Sequence, residues 1–443
     1  MKPMVLVTAP VGTRSGYGAH SRDICRSLIA LDKYDVRIWP VRWGNTPQNA
    51  LSEQNEEDKP IIQRLLSSPE VERQPDVHFH IVVPNEFQPI AKYNIGVTAG
   101  IETTVVPPPW IEGLNKMDLN IVPAKFVKDT IVNTKFDKHD ENTKQKIGEL
   151  KNEKPIEVLF EGADTNLFKP TREFSKDLLD EMNNIKEDFC FLHVGHWLQG
   201  NVGEDRKDIG MLVRTFFETF KNQKEKPALI LKTSGATPCI LDREELMDKV
   251  DNIKKAMGKV DLPNLYILHG DLRDEEMNQL YSHPKVKSHV SFTHGEGFGR
   301  PLLEASLSEK PVIASNWSGH IDFLNNDSIL LPGNLVKTPK GSFPKEFVVE
   351  GAHWFQVNYQ YASNVLKEIY KNYSKYIMKA KKQAIVNKTK FSLDAMTIEL
   401  DNILQKYLPK FESQPQKVDL KLPKLKKVNP PKKVELPKLK KVN

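Results

Sequence analysis

Only three cysteines, Cys25, Cys190 and Cys239, occur among the 443 residues. They stand far apart, with no paired or metal-like spacing, so a disulfide framework is not indicated. They are expected to be small core residues of a protein in a reducing compartment. Long apolar runs are missing too. No stretch reaches about 18 uninterrupted apolar residues, which argues against a membrane-spanning helix. The segment from Met1 to Val11 has one lysine and a short apolar run at Val5–Val7, and reads as a first strand, not a signal peptide. A strong charge of one sign is also missing from most of the chain. The net charge is +6, but residues 417–443 hold ten lysines against Asp419 and Glu435. The remainder carries 54 basic and 56 acidic residues, a net of −2. A core that binds nucleic acid is therefore not indicated.

What is present is an ordinary globular composition, long enough for two or three domains. Short β-branched runs alternate with amphipathic segments, the pattern of parallel sheets covered by helices. Met4–Val7, Val36–Trp39, His78–Val83 and Leu119–Val122 are predicted strands of one sheet. A loop from Gly12 to Gly18 and a helix from about Ala19 to Leu31 follow the first of them. Gln48–Gln74 is polar and is predicted to be a helical insertion or a loop. A second series contains strands at Phe191–Val194, Leu229–Lys232, Leu265–Leu268, His289–Phe292 and Val312–Ala314. Between the first two of these, a helix is predicted from Asp205 to Phe220. Its Ile209, Leu212, Val213, Phe216 and Phe220 recur at the helical period. Two such series imply two doubly wound domains with a ligand cleft at the carboxyl ends of their strands. The expected organisation is a first domain over 1–165, a second over 166–385, a closing helix over 386–411 and a lysine- and proline-rich tail over 412–443. In that tail Leu-Pro-Lys-Leu-Lys-Lys-Val-Asn occurs at 422–429 and again at 436–443. Its prolines and mutually repelling lysines predict disorder. It is either a solvated tail or a tether to an acidic surface of membrane, nucleic acid or protein.

The densest local signal is His294-Gly-Glu296-Gly297-Phe298-Gly299-Arg-Pro301-Leu-Leu-Glu304-Ala, between a strand and a helix. Its glycines let the backbone approach a ligand closely. Glu296 in the loop and Glu304 on the first helical turn are placed to address two separated parts of one long ligand. Carboxylates suit sugars because each accepts hydrogen bonds from neighbouring hydroxyls. Backbone N–H groups at the helix start suit phosphate.

This string resembles the E-x7-E motif of retaining GT-B glycosyltransferases, family four in particular. The resemblance implies that Glu296 contacts a donor sugar and Glu304 the ribose of its nucleotide. Other segments follow in the family's order. Val158-Leu-Phe-Glu161-Gly-Ala-Asp164-Thr-Asn-Leu-Phe168-Lys-Pro170 is similar to the interdomain segment, with Glu161 in place of asparagine. His193-Val-Gly195-His196 opens the donor domain with His196 where the family has arginine. Arg206-Lys207 matches a pair at the start of the next helix, with Lys207 facing the diphosphate. Gly270 and Leu272 resemble the nucleobase turn, and Gly16 and Gly18 the glycine-rich loop under the diphosphate. Ser315-Asn-Trp-Ser-Gly319-His320 is similar to a loop near the donor. Glu102 is placed against the reacting sugar or the acceptor. Asp118-Leu-Asn-Ile-Val-Pro123-Ala124 has alanine where the family has serine. His20 reads as a helix-start residue and not a catalytic one.

The resemblance thus implies an α/β GT-B fold of two facing Rossmann-like domains and transfer of a sugar from a nucleoside diphosphate to a hydroxyl acceptor. Retention, Lys207 and Arg206 in place of a metal, and no cofactor beyond the nucleotide-sugar co-substrate complete the expectation. No D-x-D diphosphate–metal motif stands at the end of a strand. The acceptor is a saccharide, a lipid-linked group or a protein. The expected location is the cytoplasm, with peripheral attachment to a membrane left open. A sugar-nucleotide epimerase or phosphorylase on the same fold, or an inactive scaffold acting through the basic tail, are the alternatives.

Overall fold

The computed structural model describes residues 2–140, 142–235, 238–343, 347 and 349–411. The basic tail at 412–443, and with it every expectation about a tether, lies outside the described residues. Two six-stranded parallel sheets organise the chain. In the first, the strands lie side by side in the order Asp35–Pro40, Met4–Ala9, Val77–Ile81, Tyr93–Val97, Leu119–Val122 and Ile156–Val158. In the second the order is Leu265–Leu268, Ala228–Lys232, Cys190–Val194, Val286–Ser291, Val312–Ser315 and Ile329–Leu331. In each sheet the chain reverses its direction of winding once, beside Met4–Ala9 in the first and beside Cys190–Val194 in the second. Those switch points are where doubly wound sheets open a crevice at the strands' carboxyl ends.

The predicted strands are all present, within a few residues. Three features of the sheets escaped the pattern. Tyr93–Val97 is interrupted by Gly96, Ile156–Val158 is only three residues long, and the hairpin of Phe136–His139 with Lys146–Leu150 is largely exposed. Within Gln48–Gln74 only Lys59–Ile62 is helical. Three helices, Tyr359–Asn372, Ser374–Lys390 and Leu393–Tyr407, follow a strand at His353–Val357. The last of them lies on the first domain: Thr397 shares a 2.8 Å hydrogen bond with Ser27, and Lys406 binds Glu157 at 2.6 Å. Gly162 lies directly against the start of this helix, because an added Cβ would stand 2.7 Å from Leu393 Cα.

The helix Ile209–Phe220 shows how burial selects these elements. Ile209, Leu212, Val213, Phe216 and Phe220 are all fully buried, as the 3.6-residue spacing predicts, and they join Phe191 and Leu231 in one core. Truncating one such phenylalanine to alanine costs about 3–5 kcal/mol. Among the cysteines, Cys25 and Cys190 are core residues, but Cys239 is exposed, contrary to expectation. It precedes the helix Ile240–Met257, whose first two residues are themselves exposed. Among the described residues, no helix is long and apolar enough to cross a membrane.

Candidate active site

The carboxyl ends of the two sheets face each other, and the side chains there form ion pairs. From the first domain, Val97 leads into the turn that carries Glu102, and Ala9 leads through Thr13 and Ser15 into the helix Gly16–Ala30. Ser15 caps that helix by accepting from Gly18 N at 3.0 Å. Gly16 and Gly18 therefore belong to the first helical turn and not to a loop, which corrects the sequence expectation. Gly18 must be glycine there, since a Cβ would lie 2.2 Å from Thr13 O. The ring of Tyr17 stacks on Trp43, and its hydroxyl bonds Thr98 Oγ1 at 2.9 Å and accepts from Ala99 N at 3.1 Å. Burial pushes its phenol up to about 12. His20, in the second turn, is buried, and burial lowers its ring to about 4, leaving it neutral.

From the second domain come two segments. Arg206 and Lys207 lie in the loop before Ile209, so they precede the helix and do not begin it. Asp205, expected inside the helix, caps it instead: its carboxylate accepts from Ile209 N at 2.9 Å and Gly210 N at 3.2 Å. The loop Thr293–Gly299 then leads to the helix Arg300–Ser306, with Gly299 at φ 96 in the left-handed region that glycine tolerates. Glu304 is the fifth residue of that helix, on its second turn and not its first. Phe298 does not line the cleft: it is 2% exposed and packs on Phe323.

The structure brings Lys207 onto Glu296 within the second domain, and Arg206 onto Glu102 across the domain boundary. Burial works against charge here, yet Lys207 and Arg206 together hold the Glu296 carboxyl below its ordinary value. Glu304 lies apart from this cluster. Arg300 holds it, Nε to Oε1, at 2.8 Å, and Tyr281 reaches its other oxygen at 3.5 Å. Burial raises Glu304 to about 7 against the pull of Arg300. At the far edge, Lys232 donates to Gly270 O at 2.7 Å, and Arg14 of the first domain reaches Leu272 O at 3.4 Å. Gly297 touches the first domain's backbone, since a Cβ there would stand 2.3 Å from Ala99 O. Gly319 is as close to Gly297, with its Cβ position 1.9 Å from that residue's carbonyl oxygen.

Four further residues were not singled out from sequence. Asp23 binds Arg300 from the first domain. Asp322, of the second domain, accepts from Lys125 N at 2.8 Å and so caps the helix Lys125–Asn133, where Ala124 has no side-chain donor or acceptor to offer. Asp208 and Tyr359 bond each other at 2.7 Å beside Lys207. Glu161 carried only its departure from the family's asparagine; burial raises its carboxyl to about 8. His196, in the arginine's place, turns to Ser234 Oγ at 3.2 Å.

Two doubly wound domains with their switch points on opposite walls of one cleft define the GT-B fold. Similar solved structures include sucrose-phosphate synthase from Thermosynechococcus elongatus, with 13% identity, a TM-score of 0.61 and coverage of 92% of this chain and 99% of that one. A glycosyltransferase from Rickettsia africae has 13% identity, a TM-score of 0.59 and coverage of 92% and 99%. Alr3699/HepE from Anabaena, in complex with UDP-glucose, has 13% identity, a TM-score of 0.57 and coverage of 91% and 99%. No curated protein matches the chain in sequence. Residues 211–342 match the family described as glycosyl transferases group 1.

Proposed function

We propose that the protein transfers a sugar from a nucleoside diphosphate to a hydroxyl acceptor, with retention and with side-chain cations in place of a metal. The observation that carries this is the Lys207–Glu296 pair, flanked by Arg206 and Glu102, in the cleft between the two switch points. A carboxylate fitted to sugar hydroxyls and an ammonium fitted to a diphosphate sit within one contact of each other. The sugar and the diphosphate of a donor are likewise joined by one bond.

In this reading the bond from the anomeric carbon to the diphosphate oxygen breaks as the acceptor hydroxyl attacks from the same face. The acceptor's proton passes to the departing diphosphate oxygen. Lys207 and Arg206 stabilise the charge growing on the diphosphate, and being already in place they add little reorganisation cost. Glu296 orients the sugar and Glu304 the ribose, with Arg300 fixing the Glu304 carboxyl. Glu102 faces the same cluster from the acceptor side, the first domain. The UDP-glucose held by Alr3699/HepE makes UDP-glucose the first donor to test.

The test is direct. Purified protein is incubated with a panel of nucleotide sugars, thermal shift identifies the donor, and the anomeric configuration of the product is read by NMR. A donor that binds only the folded state raises the melting temperature. A product of inverted configuration, or turnover strictly dependent on an added divalent ion, would remove the finer parts of the proposal. The absence of any bound nucleotide sugar would remove the whole.

A further inference from the structure

Asp208 immediately follows Lys207, and His294 precedes Glu296 by two residues; both are fully buried. Asp208 adopts φ 53, in the left-handed region that residues other than glycine enter only where surrounding contacts hold them. Its carboxyl does not cap the helix it precedes, because Asp205 does that with both oxygens. Instead Oδ2 accepts from the hydroxyl of Tyr359 at 2.7 Å. Oδ1 faces His294 Nε2 at 3.6 Å, and neither of these atoms has a hydrogen-bond partner among the described residues.

The other side of the His294 ring is fixed. Its Nδ1 donates to Phe355 O at 2.6 Å and its face stacks on Trp354 at 3.9 Å. Since a carbonyl can only accept, Nδ1 carries a proton and Nε2 of the neutral ring presents a lone pair. The backbone of His294 makes the same two connections: its N–H donates to Arg206 O, and Phe355 N–H donates to its carbonyl, each at 3.1 Å. The strand His353–Val357 and Tyr359 thus anchor both segments that supply the charged pair.

We propose that Asp208, His294 and Tyr359 form a positioning relay that keeps Lys207 and Glu296 in register through one proton held between Asp208 Oδ1 and His294 Nε2. Burial raises the Asp208 carboxyl well above its ordinary value and lowers the His294 ring to about 4. With Nδ1 already donating to Phe355 O, a single proton between Oδ1 and Nε2 satisfies both buried atoms, and a neutral link of that kind suits a dry interior. The 3.6 Å separation is longer than a formed hydrogen bond. Contacts of this kind commonly tighten when the substrate complex forms. What Lys207 and Glu296 do rests on the proposed function; the relay's hold on them does not.

The experiment uses the full chain and a readout that needs no substrate. The rate at which an amine-acylating reagent modifies Lys207 is measured by mass spectrometry, with exposed Lys371 as internal reference. Asp208→Ala removes both links and is expected to raise Lys207 labelling about tenfold. Asp208→Asn keeps an acceptor for Tyr359, supplies an N–H in place of the shared proton toward His294 and tolerates the left-handed backbone, so its labelling stays as in the parent. Should Asp208→Ala fail to fold, Tyr359→Phe removes a single hydroxyl and is expected to raise labelling about two- to fivefold. Unchanged labelling in the alanine or phenylalanine variant, or equal labelling in the alanine and asparagine variants, overturns the relay. With UDP-glucose as donor, Asp208→Ala is expected to lower kcat about 10–100-fold, the usual size for an outer partner of a binding centre, while KM changes less than about threefold. A fall in stability with kcat unchanged would mark Asp208 as merely structural. A parent protein inert toward nucleotide sugars counts against the proposed function and leaves the labelling result standing.

Discussion

Arg300, at the start of a helix in the second domain, binds Asp23 on the first helix of the first domain, 277 residues away in sequence. The same guanidinium fixes Glu304, so the carboxyl proposed for the ribose is oriented by a residue of the opposite domain through one shared cation. The pair is dry: the Asp23 and Arg300 side chains are only 3% and 16% exposed. Removing Asp23 takes one of two carboxyl partners from the Arg300 guanidinium, Glu304 remaining, and a lost hydrogen bond to a charged group costs about 1.5–3 kcal/mol. Asp23→Ala is expected to lose stability of that size in urea unfolding and to weaken nucleoside-diphosphate binding by calorimetry. A loss under about 1 kcal/mol with unchanged affinity would show that the bridge does neither.

Lys207 and Glu296 meet in the cleft, and each answers to a different half of a donor. Lys207→Ala removes a donor aimed at the charge that develops on the leaving diphosphate. Glu296→Gln keeps the size and polarity of the side chain but removes its charge. Each is expected to lower turnover about 10²–10³-fold while circular dichroism shows the variant still folded. Transfer at the parent rate by both variants would sink the site assignment.

Much of this arrangement could be read in the sequence, because its signals are local. Glu296, Gly297, Gly299 and Glu304 share one strand–loop–helix string, and the strands that flank the cleft are short β-branched runs between turns. The start of the helix Ile209–Phe220 was misplaced for a local reason as well. Asp205 is a capping residue four positions ahead of Ile209, and an acidic residue there looks like a first turn. What could not be read depends on distance. Asp23 is an ordinary helical acid until folding brings Arg300 onto it. Asp322 supplies a cap that Ala124 lacks, from the far wall of the cleft. Asp208 and Tyr359 are 151 residues apart. The exposed hairpin Phe136–His139 and Lys146–Leu150 escaped for lack of a buried face, so no apolar alternation marks it.

Glu161 gives a pH dependence whose sign can be worked out. Burial raises its carboxyl from 4.5 to about 8, against the pull of nearby Arg300, so the folded state holds a proton that the unfolded chain has released. Between about pH 4.5 and 8 the folded state therefore binds more protons than the unfolded one, and stability from this group falls as pH rises. Glu161→Gln, a neutral replacement of the same shape, removes that slope. The melting temperature of the variant relative to the parent is expected to climb steadily from pH 5 to pH 8.5. A difference independent of pH would show that Glu161 is ionised in the folded protein.

Gly297 tests whether the closed cleft seen here is the working one. A Cβ at this position would lie 2.3 Å from the carbonyl oxygen of Ala99 in the opposite domain. Both are backbone positions, so no flexible side-chain end can swing aside. Gly297→Ala must displace one domain edge from the other by about 1 Å, and misplacement on that scale costs about 10²-fold in rate even when no reacting group is touched. Because the strain is relieved by opening the cleft and not by unfolding either sheet, the melting temperature should move little. Gly148→Ala, where nothing lies within 4 Å of the new methyl group, controls for the substitution itself. Turnover near the parent rate in Gly297→Ala would mean that transfer proceeds with Ala99 and Gly297 apart, in a more open arrangement of the two domains.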